Sequence, residues 1–237
     1  MRARQPGVGV GFLAIVAATN PLALKVENVV PWMSTASFAI LCNQLTEWGY
    51  RVHADVLKGE DFNSLEHRNR MALVAVTEGI DFSFDAIERP EPQVRRLAEI
   101  LDPIPDDSPM YSEMQGLKAK QARDVEAGKN FLMQTYTAES THVGTMTKGY
   151  SKVRSTDPKV CHPTNPDLLR QFTPAEHARL KDIPPALIEG LSNTRAHEVL
   201  GQSILIRPFQ ALAKALAKAI RQWAEPREEA PFLLQAA

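Results

Sequence analysis

The first third of the chain carries the order strand, helix, strand, strand, and no other feature limits its fold as much. The four segments that give this order are residues 22–26, 33–48, 51–57 and 70–77. Three of them are short apolar or alternating runs of the kind that strands favour, while residues 33–48 repeat their apolar positions at helical spacing. This order suits the edge of a mainly parallel sheet that is finished by a hairpin, so we expect an α/β fold.

A carboxylate stands where the first strand ends. The apolar run of residues 22–26 leads to Glu27, and the chain turns at Pro31. Open α/β sheets build their active sites at the carboxyl ends of their strands, so Glu27 is a candidate functional side chain. In the helix that follows, Ser34 is the expected N-cap and Gly49 the expected stop.

The amino-terminal residues resemble an export signal, but they continue into the first strand. Basic residues within positions 1–4 precede an apolar run over residues 7–19. Because this run leads directly to the strand, we expect residues 11–18 to be the end of a buried helix in a cytoplasmic protein. No run reaches the ~20 apolar residues of a membrane span. The glycine-rich residues 7–11 lack the preceding strand of a nucleotide-binding loop.

Cysteine usage points to a reducing compartment. The chain has two cysteines, Cys42 and Cys161, too few for a disulfide framework or a structural zinc site. The pair Cys161-His162 invites a nucleophile–base interpretation, but neighbours in sequence rarely share the geometry of an active site. We therefore expect neither a metal nor a cysteine nucleophile here.

The composition changes from about Asp85 onward. Prolines at positions 90, 92, 103, 105 and 109 disfavour a long continuous helix. Residues 118–159 contain eight Lys or Arg against four Asp or Glu, although the whole chain has a formal net charge of −1. Any surface for a polyanion must therefore be local, and we expect it in a small, irregular β-rich module in this region.

Helical patterning returns in the last third of the chain. Thr173 is placed to cap a helix that has Pro174 in its first turn and Glu176 three residues after the cap, which is a capping box. Residues 208–223 predict a further helix. Its apolar stripe consists of Phe209, Leu212, Leu216 and Ile220.

Four segments, in this order, resemble sequence motifs of the cytosine-C5 DNA methyltransferase family. They are Glu27-Asn28-Val29, Glu66-His67-Arg68-Asn69-Arg70 with the strand after it, Arg170-Gln171-Phe172-Thr173-Pro174-Ala175-Glu176-His177-Ala178-Arg179-Leu180, and Gly201-Gln202-Ser203. The resemblance extends from about Ala18 to Ile220. Glu66 stands where the family usually has Gln, and the segment from Lys181 to Pro184 replaces the usual Gly-Phe-Pro.

The resemblance implies a role for each motif. Glu27 would be the acid that contacts the N3/N4 edge of a flipped cytosine, Arg70 would hold the cytosine O2, and Arg68 would lie nearer to backbone phosphate. Gln202 and Ser203 would line the pocket for the cofactor S-adenosylmethionine. These residue types suit the reaction, because adding a nucleophile to C6 moves charge toward N3 and O2 before C5 takes a methyl group.

The basic region would be the target-recognition module. The resemblance gives nucleic-acid contacts to Lys148, Lys152 and Arg154, whose charges suit phosphate, and to Tyr150, which could stack on a base or pack inside the module. Residues 147–150 are also similar to a segment in the family's tRNA-acting branch.

The implied fold is a partial Rossmann-like, S-adenosylmethionine-dependent methyltransferase fold with an inserted small, irregular β-rich target-recognition module. Residues 1–84 would be C-terminal strands of the catalytic domain, 85–168 the recognition module, and 169–237 helices that return to the catalytic domain. The family's glycine loop and Pro-Cys nucleophile segment are absent from the sequence. We therefore expect the C-terminal part of a DNA (cytosine-5)-methyltransferase of the restriction-modification type. It would act on double-stranded DNA with a separate N-terminal subunit that carries the nucleophilic cysteine.

Two alternatives remain open at this point. The chain could be a non-catalytic DNA-binding fragment or a decayed methyltransferase. It could also keep the chemistry and act on tRNA, as the similarity of residues 147–150 suggests.

Overall fold

The structure is a computed structural model that describes residues 8–129 and 132–225. Of the glycine-rich segment at residues 7–11, Gly7 lies outside the described residues, and the other four residues belong to a helix. The helices are α1 (Val8–Thr19), α2 (Ala36–Glu47), α3 (Gln115–Glu126), α4 (Pro174–Leu180), α5 (Asn193–Gln202) and α6 (Ile206–Ala224). The strands are β1 (Ala23–Asn28), β2 (Tyr50–Lys58), β3 (Glu66–His67), β4 (Asn69–Thr77), β5 (Gln134–Tyr136), β6 (Val143–Gly144), β7 (Pro158–Cys161) and β8 (Leu169–Arg170).

The described chain forms two compact units. The first unit comprises the described residues of Met1–Val56, Met71–Glu88 and Ala211–Ala237. The second unit comprises those of Leu57–Arg70 and Arg89–Gln210. The chain therefore passes between the units within β2, within β4, between Glu88 and Arg89, and within α6.

The sheet of the first unit has the strand order β1-β4-β2. β1 and β4 are antiparallel, with Ala23 opposite Val76 and Asn28 opposite Met71. The four expected elements are present, but β4 lies between β1 and β2 instead of finishing the sheet at its edge. All six residues from Met71 to Val76 are fully buried, which explains why their sequence is an apolar run and not an alternation.

α2 packs its apolar stripe on this sheet. Leu41 and Leu45 are buried in one cluster with Met71, Leu73 and Ala75 of β4. Side chains three and four residues apart lie on one face of a helix, so this spacing in the sequence directly produces the buried face.

The start of α2 differs by one residue from the expected one. Pro31 opens a short 3-10 helix, Val30–Ser34, and the Ser34 hydroxyl donates back to the Pro31 carbonyl at 2.9 Å. Ser34 is thus used by the preceding turn, and Thr35 is the N-cap whose hydroxyl accepts a backbone N–H of α2. The expected stop is confirmed, because Gly49 follows the helix with a φ of +85°.

α1 is confirmed as a helix, but the expectation that it is buried is wrong. Val16 is its buried residue among positions 11–19, and Ile15 is 63% exposed. Phe12 and Leu13 are partly buried against the same cluster as Val16. The helix packs along one side only, and the described chain leaves its other side uncovered.

α6 begins two residues before Pro208, since the first turn of a helix does not need the missing proline N–H. Within the first unit its buried residues are Leu212, Ala215 and Ala219, while the expected Leu216 and Ile220 are half-buried beside them. Alanines therefore share the buried face with the larger side chains that the sequence pattern emphasised.

The second unit contains short strands, as expected for an irregular module. β5 and β7 are parallel and β7 and β8 antiparallel, while β3 pairs in parallel with β6. The 12-residue helix α3 was not foreseen. The prolines at 90–109 dominated the sequence pattern, but α3 lies after them in a proline-free stretch and ends before Gly128, which has a φ of +70°.

α4 begins with the expected capping box. The Thr173 hydroxyl accepts from the Glu176 N–H at 3.1 Å, and the Glu176 carboxylate accepts from the Thr173 N–H at 2.8 Å. Both α4 and α5 belong to the second unit, together with the recognition segment. The compact units thus divide residues 169–237 at Gln210, and the assignment of that segment to the catalytic domain stays a prediction.

Among residues 8–129 and 132–225, no helix is long and apolar enough to cross a membrane. The same residues contain no group of three or more His, Cys, Asp or Glu side chains arranged to hold a metal ion.

Candidate functional site

Glu27 is the penultimate residue of β1. It is half-buried and stands opposite Ala72 of β4, the strand into which the arginine motif leads. The next side chain, Asn28, accepts the Val29 N–H at 2.8 Å and so fixes the turn after the strand. The structure therefore presents the Glu27 carboxyl group at the carboxyl end of a strand, where the sequence placed it.

Arg70 is the second residue of β4 and is half-buried. Its Nη1 donates to the backbone carbonyl of Asn69 at 2.8 Å. Arg70 thus directly precedes the six buried apolar residues of the strand, Met71 to Val76.

Arg68 lies in a different environment from the one expected. Its side chain is 5% exposed, and its guanidinium donates to the backbone carbonyls of Gly201 at 3.2 Å and Met146 at 3.4 Å. A guanidinium enclosed by backbone carbonyls is not at a phosphate surface, so the expected phosphate contact is corrected. Arg68 instead joins the arginine motif to the recognition loop and to the Gly-Gln-Ser motif within the second unit.

Glu66 is fully buried beside Arg68. Its Oε1 accepts the Met146 N–H at 2.8 Å and lies 3.9 Å from Arg68 Nη1, while its Oε2 accepts from Lys181 Nζ. Lys181 is also fully buried. Burial lowers the pKa of Lys181 to about 8, and the attraction of Glu66 opposes that shift.

The recognition loop, residues 145–154, exposes three cations. Lys148, Lys152 and Arg154 are exposed, and no ion pair or hydrogen bond of their side chains is found within the described residues. Val153 lies between two of them with a φ of +52°, a left-handed conformation that β-branched residues rarely adopt. Unpaired cations that stand together on a chain with a net charge of −1 favour a polyanion ligand.

Tyr150 packs inside the module and does not face a ligand. It is 0% exposed, and its hydroxyl donates to the Pro158 carbonyl and accepts the Phe172 N–H, both at 2.8 Å. Burial also raises the pKa of the Tyr150 hydroxyl. The sequence allowed Tyr150 either to stack on a base or to pack inside the module. The structure shows that it packs inside the module, so the expected contact with a base is corrected.

The recognition loop packs directly against the Gly-Gln-Ser motif. A Cβ at Gly201 would lie 2.2 Å from the Lys148 nitrogen and 2.3 Å from the Thr147 carbonyl carbon. No side chain fits at that distance, so a glycine is required at position 201 by the close approach of two backbone segments.

The end of α5 offers polar groups to a ligand. Gln202 is exposed, and no hydrogen bond of its side chain is found in the described parts of the chain. The half-buried Ser203 hydroxyl donates to the Leu200 carbonyl at 2.7 Å and keeps its oxygen available as an acceptor. An amide and a hydroxyl beside a glycine suit the polar edge of a nucleoside such as that of S-adenosylmethionine.

The motif around Pro174 forms a buried ion pair that supports the module. Both nitrogens of the Arg170 fork donate to Glu176, at 2.7 and 2.8 Å, and both side chains are buried. The Glu176 carboxylate also accepts the Asp102 N–H at 2.8 Å. Arg179 donates to the Ile100 carbonyl at 2.8 Å and pairs with Asp102. The expected structural role of this motif agrees with these contacts.

A pair of buried histidines was not foreseen from the sequence. His177 Nδ1 and His197 Nδ1 lie 3.0 Å apart, and the two rings are stacked beside Tyr150. Burial lowers the pKa of His177 to about 2 and that of His197 to about 4, so both rings are neutral at pH 7. The signal in the sequence was weak, because each histidine lies on an ordinary helix and the two are 20 residues apart.

A cavity of about 440 Å³ opens beside these histidines. Its lining is mixed polar and apolar and consists of Met110, Ser151, Gln171, Phe172, Thr173, Pro174, Asn193, Thr194 and His197. No sequence motif pointed to it, since its walls come from separate segments of the second unit.

The cysteines have no nucleophilic environment. Burial raises the pKa of both the Cys42 and the Cys161 thiol. The His162 ring is used elsewhere, because its Nε2 bonds the Asp106 carbonyl at 2.9 Å and its Nδ1 accepts the Asn165 N–H at 3.0 Å.

Residues 6–218 match the model of a protein family described as C-5 cytosine-specific DNA methylase. The Type II methyltransferase M.NlaX of Neisseria lactamica is 29% identical over 212 residues, which cover 87% of this chain and 66% of that protein. The Type II methyltransferase M1.ScrFI of Lactococcus lactis subsp. cremoris is 25% identical over 215 residues, which cover 88% of this chain and 54% of that protein. The chain thus spans between about half and two thirds of the length of these relatives.

Two solved structures give the same fold. The S. pombe Dnmt2 methyltransferase superposes with a TM-score of 0.75 at 20% identity. This match covers 90% of this chain and 72% of the Dnmt2 chain. The Entamoeba histolytica methyltransferase EhMeth superposes with a TM-score of 0.68 at 20% identity. This match covers 84% of this chain and 63% of the EhMeth chain. The expected α/β methyltransferase fold is therefore confirmed.

Proposed function

The chain belongs to the C-5 cytosine-specific DNA methylase family, and we propose that it is the C-terminal part of a DNA (cytosine-5)-methyltransferase. It supplies the acid and arginine side of the active site, the recognition module and part of the cofactor pocket. The observation that supports this most is Glu27, the penultimate residue of β1, which lies opposite Ala72 of the strand that follows the arginine motif.

In this proposal Glu27 and Arg70 each contact the target base. The Glu27 carboxyl group donates a proton to N3 of the flipped cytosine, and the Arg70 guanidinium donates hydrogen bonds to O2. Both contacts strengthen as a nucleophile adds to C6, because negative charge then moves onto N3 and O2. Arg68 acts as a positioning residue, since its guanidinium holds the Gly201 and Met146 carbonyls.

Gln202 and Ser203 would hold S-adenosylmethionine by hydrogen bonds to its polar groups. When bound, that cofactor supplies the methyl group for C5. The close packing of Gly201 on Thr147 and Lys148 lets the cofactor segment and the recognition loop influence each other's position.

A second polypeptide supplies the nucleophilic cysteine. Support comes from apolar side chains that the first unit leaves exposed in the described chain, namely Ile15, Val29, Ile40 and Trp48. Where such side chains form a contiguous apolar surface, that surface marks an interaction site in a stable protein. A catalytic partner that covers it would remove the cost of exposing these groups.

The test is co-expression with the polypeptide encoded directly upstream, followed by bisulfite sequencing of host DNA and tRNA. We expect methylated cytosines in DNA for the pair and none for this chain alone. Methylation by the purified chain alone would contradict the need for a partner. Methylation confined to tRNA would replace the DNA substrate, and binding without any methylation would make the chain a recognition fragment.

A further inference from the structure

The cavity beside the buried histidines, called here the His197 cavity, has the size and lining of a ligand site. Its 440 Å³ is larger than a nucleobase needs, and it combines apolar walls from Met110, Phe172 and Pro174 with polar groups. Its lining includes none of Glu27, Arg68, Arg70, Gln202 or Ser203. The residues proposed for catalysis and cofactor binding therefore leave this cavity without a role.

The histidine pair fixes a hydrogen-bond donor at the cavity. His177 Nε2 is buried with no hydrogen-bond partner among the described residues, and a buried N–H without an acceptor is rarer than a bare acceptor. The His177 proton therefore sits on Nδ1 and is donated to His197 Nδ1 across 3.0 Å. His197 must then carry its own proton on Nε2.

His197 is 5% exposed and lines the cavity. No hydrogen bond of its Nε2 is found among residues 8–129 and 132–225. Because the ring is neutral at pH 7, this Nε2–H is a neutral donor that suits the nitrogen or carbonyl acceptor of a heterocycle better than it suits a phosphate.

The cationic part of the recognition loop is adjacent to the cavity in sequence. Ser151 lines the cavity, and the exposed Lys148, Lys152 and Arg154 flank it along the chain. A strand whose phosphates bind these cations would pass the loop that contributes Ser151 to the cavity. Phosphate contacts fix the position of a strand, and base contacts then use shaped pockets.

We propose that the His197 cavity binds one unstacked nucleobase of the bound nucleic acid, a base other than the target cytosine. The His197 Nε2–H donates to an acceptor on the base edge, Asn193, Thr194 and Ser151 contact its other polar atoms, and Met110 and Pro174 cover its faces. The inference rests on the proposed function, because it assumes a nucleic-acid substrate.

The test compares DNA duplexes that carry a single bulged cytidine, an abasic bulge of the same length, or no bulge, in binding to the full chain. We expect about ten-fold tighter binding of the bulged cytidine than of the abasic bulge, as insertion of a base between apolar groups typically gives. The same series in RNA identifies which nucleic acid supplies the base. No preference for the base in either series would overturn the inference.

Variants that fill the cavity sharpen the test. Thr194→Phe and, independently, Asn193→Phe place a ring in the cavity from the exposed start of α5, and each should reduce the preference for the bulged base to less than about two-fold. Thr137→Phe adds the same ring at an exposed threonine outside the lining and should keep the preference. A preference that survives both filling variants would overturn the proposal. Absence of methyl transfer by the co-expressed pair, with the base preference of this chain intact, would count against the proposed function and not against this cavity.

Discussion

Glu66 and Lys181 form an ion pair whose two side chains are both 0% exposed. Glu66 stands where the family pattern usually has Gln, and Lys181 begins the segment that replaces the usual Gly-Phe-Pro. The two charges depend on each other, because a buried carboxylate at position 66 needs a cation and a buried lysine at position 181 needs an anion.

Breaking this pair from its two sides should have unequal effects. Glu66→Gln leaves the Lys181 ammonium buried without a counter-ion and should lower the free energy of unfolding by about 3–5 kcal/mol. Lys181→Met should cost less, since Glu66 keeps the Met146 N–H and has Arg68 at 3.9 Å. Urea unfolding measures both losses. The double variant should lose less than the sum of the singles, and strict additivity would mean that the pair is not coupled.

The two buried histidines should make the protein acid-sensitive. Their folded pKa values of about 2 and about 4 lie below the ordinary 6.5, so the unfolded chain binds more protons as the pH falls below 6.5. Stability is therefore fully present above pH 6.5 and falls toward pH 4, by on the order of 2 kcal/mol per histidine at pH 5. Urea unfolding at pH 7.5 and 5 measures the loss, which His197→Gln should reduce.

The exposed cations of the recognition loop should set the salt dependence of nucleic-acid binding. Neutralising Lys148, Lys152 or Arg154 with Gln should weaken binding to all sequences and reduce the slope of log affinity against log salt by about 1 for each phosphate that the variant no longer neutralises. Fluorescence anisotropy at several salt concentrations gives the slope. Tyr150→Phe is the control, because the buried hydroxyl should affect stability and not the slope. An unchanged slope in all three charge variants would remove the loop from the interface.

Glu27 should control methyl transfer. In the co-expressed pair, Glu27→Gln removes the proton donor to N3 and should lower the rate of methyl transfer by about 10²–10⁴-fold. Glu47→Gln, at an exposed acid that ends α2, should keep full activity. Single-turnover transfer of a labelled methyl group to a cytosine-containing duplex measures the rate. Equal rates for the two variants would contradict the proposed role.

Gly201 should not tolerate even one methyl group. In Gly201→Ala the new Cβ would lie 2.2 Å from the Lys148 nitrogen, so backbone must move and both stability and nucleic-acid binding should fall. Gly116→Ala is the matched helical control, because a Cβ there meets nothing within 4 Å and should be neutral or slightly stabilising. Thermal unfolding separates the two, and similar melting temperatures would argue against close packing of the loop on α5.

Local patterns in the sequence were sufficient where neighbours along the chain decide the structure. The spacing of Leu41 and Leu45 predicted the buried face of α2, and Thr173 with Glu176 predicted the capping box of α4. The prediction failed for the burial of α1 and for α3. The burial of α1 depends on which other segments cover the helix, and its sequence does not show that. The helix α3 was missed because the prolines earlier in the segment argued against a helix there.

The family motifs, their order and the position of Glu27 at a strand end can be read from the chain before it folds. The folded structure was needed to find that Arg68 is enclosed by backbone carbonyls and that Tyr150 is buried. It was also needed to find the pairing of Glu66 with Lys181. Burial and charge pairing depend on residues far apart along the chain. Glu66 and Lys181 are 115 positions apart, and no periodic pattern links residues at that distance.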